Sequence, residues 1–200
     1  MALTFLPTKK HTYSSDVNLT KLPMAVQGVK QVGNRITNVQ VAIKDQNGNL
    51  LESAIPKVTF VRYSKYSNDD YSDGPADHVE TLARIDKNLK DLPLSGIVLE
   101  GKMYDIDIPT TESLEKAALR GMPVVRVGRG NAEGVSPVSS SNLFIEGDNL
   151  TATKARLLLM ASLMKLGALP VPADPDHPTK AERDAILAKI AQYQEIFSTH

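Results

Sequence analysis

The rhythm of apolar and polar positions changes twice along the chain. Residues 1–23 are mostly polar, are broken by Pro7 and Pro23, and carry the basic group Lys9, Lys10 and His11, which reads as an extended lead-in. From 24 to 55 the pattern becomes strand-like. Ile36, Val39, Val41 and Ile43 partly alternate with Thr37, Asn38, Gln40 and Lys44, and Asp45-Gln46-Asn47-Gly48-Asn49 separates them from Leu50, Leu51 and Ile55. Asn-Gly between two such runs predicts a β-hairpin, because a type I′ turn needs positive φ at both central residues.

From Lys57 the pattern alternates between strand and helix. Val58, Phe60 and Val61 predict a core strand, and residues 64–74 a polar loop. Val79, Leu82, Ala83, Ile85 and Leu89 recur near the 3.6 period of one helix face. Gly96-Ile97-Val98-Leu99 is a short continuous apolar strand, followed by a loop at 101–109. Thr110 and Thr111 can cap a helix over 112–120 that Gly121 closes. Val124 and Val125 open the next strand, and 126–142 is read as its loop. The last third predicts a helix from Thr151 to about Leu166, capped by Asn149 or Thr151 and ended by Gly167. A proline-rich crossing at 170–178 then leads to a final amphipathic helix over 181–197, with Ile186, Leu187, Ile190, Tyr193 and Phe197 on one side.

Strands and helices in alternation predict an α/β fold, a small parallel sheet flanked by helices in flavodoxin-like layers, with the 24–55 hairpin inserted. The organisation expected is a lead-in at 1–23 and one α/β domain at 24–200, its sheet and helices at 56–200. In such sheets ligands sit at loops leaving the carboxyl ends of strands, here 64–74, 101–109 and 126–142.

Composition narrows the function classes. The formal net charge is zero, so no electrostatic attraction to nucleic acid or anionic membrane is expected. No apolar run approaches the roughly 20 residues of a membrane helix. The absence of Cys removes disulfides, thiolate metal sites and Cys nucleophiles together. Aromatics make up 5% and Trp is absent, which weakens any base-stacking surface.

Candidate chemistry is sparse. His11, His78, His177 and His200 stand at no metal-ligand spacing with one another, so no metal or other cofactor is expected. There is no G-x-S-x-G elbow and no phosphate-binding P-loop. Gly128-Arg129-Gly130 begins a dinucleotide fingerprint that Glu133 breaks. Asp69, Asp70, Asp73 and Asp77 lack the EF-hand order and read as a solvated loop. Asp105 and Asp107 lie on a strand-end loop, where carboxylates serve either acid–base chemistry or turns. Arg126 and Arg129 flank the strand end in GMPVVRVGRGNAEG. Arg cannot act as a base at neutral pH, so they are read as structural or interfacial groups.

Several segments, taken in order, resemble the bacterial L-asparaginases and glutaminase-asparaginases. FLPTKKHTYSSDVNLTKLP is similar to the segment joining their two domains, especially in the secreted or periplasmic type. PKVTFVRYSKYSND resembles the first strand of their C-terminal domain, and LSGIVLEG with SLEKAALRG their strand–loop–helix. GMPVVRVGR resembles the family's G-x-P-V-V-R-S-S-R, GDNLTATKARLLLM its D-N-L-N-P-Q-K-A-R-x-L-L-M, and QEIFSTH its final helix.

The resemblance implies a C-terminal domain that packs against identical subunits and against its own N-terminal catalytic domain. It would lend polar side chains to a neighbour's pocket for a small amino acid. By this resemblance Asp105, Asp107 and Glu133 are the substrate-facing candidates, and Arg126, Arg129 and Asn149 structural or interface groups. The family's Thr nucleophile motifs, T-G-G-T-I and G-T-D-T, do not occur in this sequence, so no catalytic residue is assigned. GKMYDIDIP also stands where the family has G-x-G-N-G-N. The compartment implied is periplasmic, with cytoplasmic as the alternative. Two other classes stay open: a free-standing binding module that kept the fold and lost catalysis, and an assembly module acting through the hairpin.

Overall fold

A computed structural model describes residues 21–33, 35–62, 76–101, 108–128, 141–148 and 150–199, without the side chains of 76–82 and 108–110. The apolar runs found in the sequence become a four-stranded parallel sheet built in chain order from β3 (Lys57–Arg62), β4 (Ser95–Gly101), β5 (Val124–Gly128) and β6 (Phe144–Glu146). Helix α1 (Ala76–Asp91) connects β3 to β4 and α2 (Ile108–Leu119) connects β4 to β5. Right-handed crossovers advancing in one direction put both helices on one face of the sheet. α3 (Ala152–Leu166) lies over the other face against β3, β4 and β5, and α4 (Lys180–Thr199) lies beside β6. β4 and β5 are buried nearly throughout, as a sheet covered on both faces requires.

The ends of the helices follow their sequence signals. The Thr151 hydroxyl accepts from the Lys154 N–H at 3.3 Å, so Thr151 is the cap of α3, and Asn149 lies outside the described residues. Thr179 and Glu182 form a reciprocal capping box at α4: the Glu182 N–H donates to the Thr179 hydroxyl and the Thr179 N–H to the Glu182 carboxylate. Gly121 closes α2 with φ of +92°, and the Met122 N–H reaches back to the Ala117 carbonyl.

A separate antiparallel hairpin, β1 (Ala25–Val32) with β2 (Arg35–Ala42), is seated across the amino-terminal ends of the parallel strands. The Val29 N–H donates to the Pro93 carbonyl just before β4, and the Ala168 N–H, just past α3, donates to the Gln27 carbonyl. Val29 joins the main core. Val26, Val41, Ile43, Ala54 and Leu94 form a smaller core beneath the hairpin.

Three expectations shift. The hairpin strands pair up to Val32 with Arg35, and the Asn-Gly turn yields only the bridge between Lys44 and Leu50, held by Asp45, whose carboxylate accepts from the N–H groups of Asn47 and Asn49. The β1 sequence AVQGVKQV breaks its own alternation at Gly28, which hid it. α2 begins at Ile108 with Pro109 in its first turn, so Thr110 and Thr111 lie inside the helix and not at its cap. Arg126 sits inside β5, which extends to Gly128, and not in the loop beyond it. β6 is three residues long, too short to show a period.

Candidate functional site

Parallel α/β sheets present ligands at the carboxyl ends of their strands. That edge is formed here by Arg62, Glu100, Gly128 and Glu146. The loops that leave it, with Asp105, Asp107, Arg129 and Glu133, lie outside the described residues. What the structure shows is the frame on which those loops stand.

Two ion pairs occupy the frame, each between neighbouring strands. Arg62 of β3 pairs with Glu100 of β4 at 3.0 Å, in direct register and close to solvent. Arg126 of β5 pairs with Glu146 of β6, also in register, through two contacts: Nη2 to Oε1 at 2.9 Å and Nε to Oε2 at 3.3 Å. The Arg126 side chain is only 4% exposed, so its charge is compensated by a fork matched to one carboxylate. Burial pushes the Glu146 carboxyl above its usual range, and the Arg126 charge and hydrogen bonds pull it back. Alternation along β4 and β5 sends the two pairs to opposite faces: Glu100 shares a face with Val98, and Arg126 shares the other with Leu99.

Gln194 of α4 completes the edge of the sheet. Its amide accepts from the Glu146 N–H at 2.8 Å and donates to the Glu146 carbonyl at 3.1 Å. The outer edge of β3 is treated in a related way, with Arg84 of α1 donating to the Phe60 carbonyl at 2.7 Å and Asn88 to the Thr59 hydroxyl at 3.0 Å. Over the opposite face, the Arg156 guanidinium of α3 sits 5.3 Å from the centre of the Phe60 ring.

This frame is held by groups whose protons are committed. Arg126 binds Glu146 on both of its oxygens. Away from this frame, next to the hairpin, Tyr193 is buried and donates to the Gly167 carbonyl, and burial raises its pKa far above the ordinary phenol range. Among the described residues no group of three His, Asp or Glu could hold a metal ion, and no helix is long and apolar enough to cross a membrane. Glu146 and Gln194 carried no sequence signal, since each acts through a partner far away along the chain.

No family model matches the chain, and no curated protein does. Among solved structures, that of a probable cytoplasmic L-asparaginase from Campylobacter jejuni is similar, with a TM-score of 0.51 and 24% sequence identity. The fold is asparaginase-like. The match covers 86% of this chain and 48% of that one, so the chain spans about half the length of the protein it resembles.

Proposed function

We propose that the chain is the C-terminal, subunit-contacting domain of an asparaginase- or glutaminase-type amidohydrolase. In that reading it acts on the side-chain amide of a small amino acid together with a catalytic domain that this sequence does not contain. The observation that carries the reading is an asparaginase-like fold that covers 48% of a probable L-asparaginase chain, over a sheet and helices whose sequence segments resemble that family in order. The Thr hydroxyl that would attack the amide and form an acyl-enzyme belongs to motifs absent here. The role left to this chain is to position. The Arg126–Glu146 pair and the Gln194 edge fix the strand ends, and the loops leaving them, with Asp105, Asp107 and Glu133, would reach a pocket completed by the other domain.

The test is ammonia release from L-asparagine and L-glutamine. The purified chain alone should give none above buffer. Mixed with a separately produced N-terminal half of an asparaginase, it should restore turnover. Turnover by the chain alone, abolished by a point substitution within it, would overturn the reading.

A further inference from the structure

A concave site lies at the opposite end of the sheet from the carboxyl ends of the strands. A cavity of about 440 Å³ opens where the hairpin meets the end of α2 and the crossing segment before α4. That is within the roughly 300–1,000 Å³ of small-molecule sites. Gln31 and Arg35 enter it from the hairpin, Arg120 from the end of α2, and Val171, Pro172 and Asp176 from the crossing segment. None of these residues belongs to the carboxyl ends of the strands.

Its polar groups are underused. Arg35 makes no ion pair or side-chain hydrogen bond among the described residues, and Arg120 has one long contact, 3.4 Å to Asp86, which leaves most of its planar fork free. The Gln31 amide donates to the Gly33 carbonyl at 3.2 Å, while its oxygen is buried without a partner. An orphaned buried acceptor is costly, and it calls for a hydrogen-bond donor on a ligand rather than for its anionic group. The apolar wall is prearranged. The Ala173 N–H donates at 2.7 Å to the same Glu182 carboxylate that caps α4, and the Asp174 carboxylate accepts from the Asp176 N–H at 3.0 Å. Gly121 packs against both Val29 and Val171, joining hairpin and crossing segment beneath the cavity.

We propose that this cavity binds a small organic anion whose carboxylate or phosphate group is clasped between Arg35 and Arg120. Guanidinium forks suit both groups because each presents paired oxygens. Val171 and Pro172 offer a surface to the carbon skeleton. Asp176, on the same wall, accepts from a hydroxyl or ammonium group on the ligand. An organic acid bearing such a donor therefore fits better than a bare inorganic ion.

Isothermal titration of the full chain with citrate, glycerol 3-phosphate, inorganic phosphate and glycerol tests this. Saturable binding of citrate identifies a carboxylate ligand, and saturable binding of glycerol 3-phosphate above inorganic phosphate identifies a phosphorylated one; glycerol should not bind. Arg35→Ala removes an exposed side chain that has no partner among the described residues, so the variant should keep the wild-type circular dichroism and lose at least about tenfold in affinity. Arg120→Lys keeps the charge beside Asp86 but loses the fork, and should weaken binding as well. Failure of both organic anions to saturate below about 10 mM, or Arg35→Ala binding as tightly as wild type, would overturn the proposal.

Discussion

The side-chain amide of Gln194 stands in for a missing strand beside Glu146: it accepts from the Glu146 N–H and donates to the Glu146 carbonyl. An edge strand left with open backbone groups is a template for unwanted pairing, and one glutamine on α4 closes β6 at its carboxyl end. Gln194→Ala leaves both backbone groups without their protein partner and should cost about 1–2 kcal/mol in urea unfolding. Gln194→Glu keeps an acceptor, loses the donor and brings a second carboxylate beside Glu146, so it should cost at least as much. Wild-type stability in Gln194→Ala would show that water replaces the amide without loss.

The Arg126–Glu146 pair should be asymmetric under substitution. Glu146→Gln strands a nearly buried guanidinium and should destabilise by about 3 kcal/mol. Arg126→Met with Glu146→Leu removes both charges and should recover most of that loss, because a buried pair and a packed apolar pair often come close to equal. Chemical denaturation of the single and double variants measures the difference. A double variant no better than Glu146→Gln would mean the pair supplies more than charge compensation.

Among the described residues, acid should weaken the fold through three carboxylates held by local hydrogen bonds. Asp45 is held below its ordinary 3.8 by the Asn49 side chain and by backbone donors, Asp174 by the Asp176 N–H and His177, and Glu182 below its ordinary 4.5 by the Thr179 hydroxyl and the Ala173 and Thr179 N–H groups. A lowered folded-state pKa contributes stability that is present above the unfolded value and is lost as pH falls through the folded one. The loss therefore begins near these ordinary values and deepens below them. Glu146, raised by burial, works in the opposite sense: its contribution is present below 4.5 and fades as pH rises through its raised value. Glu182→Gln should lower stability at pH 7 and flatten the acid limb of a stability–pH curve. A curve parallel to wild type would remove Glu182 from this account.

Gly167 links α3 to the hairpin. Its φ is +76°, and a Cβ there would collide with the Gln27 carbonyl oxygen, which accepts from the next N–H, that of Ala168. Gly167→Ala combines a left-handed conformation with a backbone collision and should cost at least about 1–3 kcal/mol. The damage should be local. Amide exchange should speed up at Ala168 and Val29 before it does in β4 and β5. Uniform acceleration across the molecule would show that hairpin and sheet unfold as one unit.

The parallel sheet was legible because each buried strand reads as an apolar run bounded by Gly, Pro or polar loops, as at 96–99 and 124–125. The capping of α3 and the stop at Gly121 were legible for the same local reason. β1 and β6 were not: Gly28 interrupts one pattern, and the other spans three residues. The hairpin was placed one turn too late because Asn-Gly is the stronger local signal, while the seating of Val29 and Gln27 against Pro93 and Ala168 decides which strands pair. Arg126 was visible as a strand-end arginine, but its partner Glu146 and the edge-closing Gln194 depend on contacts across 20 and 48 residues that no local pattern carries.

The central claim, a domain shaped to contact other polypeptides, is tested most directly by sedimentation equilibrium of the purified chain. α3 buries Ala155, Leu159 and Leu163 against the sheet, packs Leu158 and Met160 against the main core and Met164 against the hairpin core, and leaves Leu157 62% exposed. In the proposed role Leu157 would lie in a subunit contact, and a two-fold dimer is the simplest way to cover it. The predicted result is a concentration-dependent dimer that Leu157→Glu shifts toward monomer. A monomer at every concentration would contradict the subunit-contacting role.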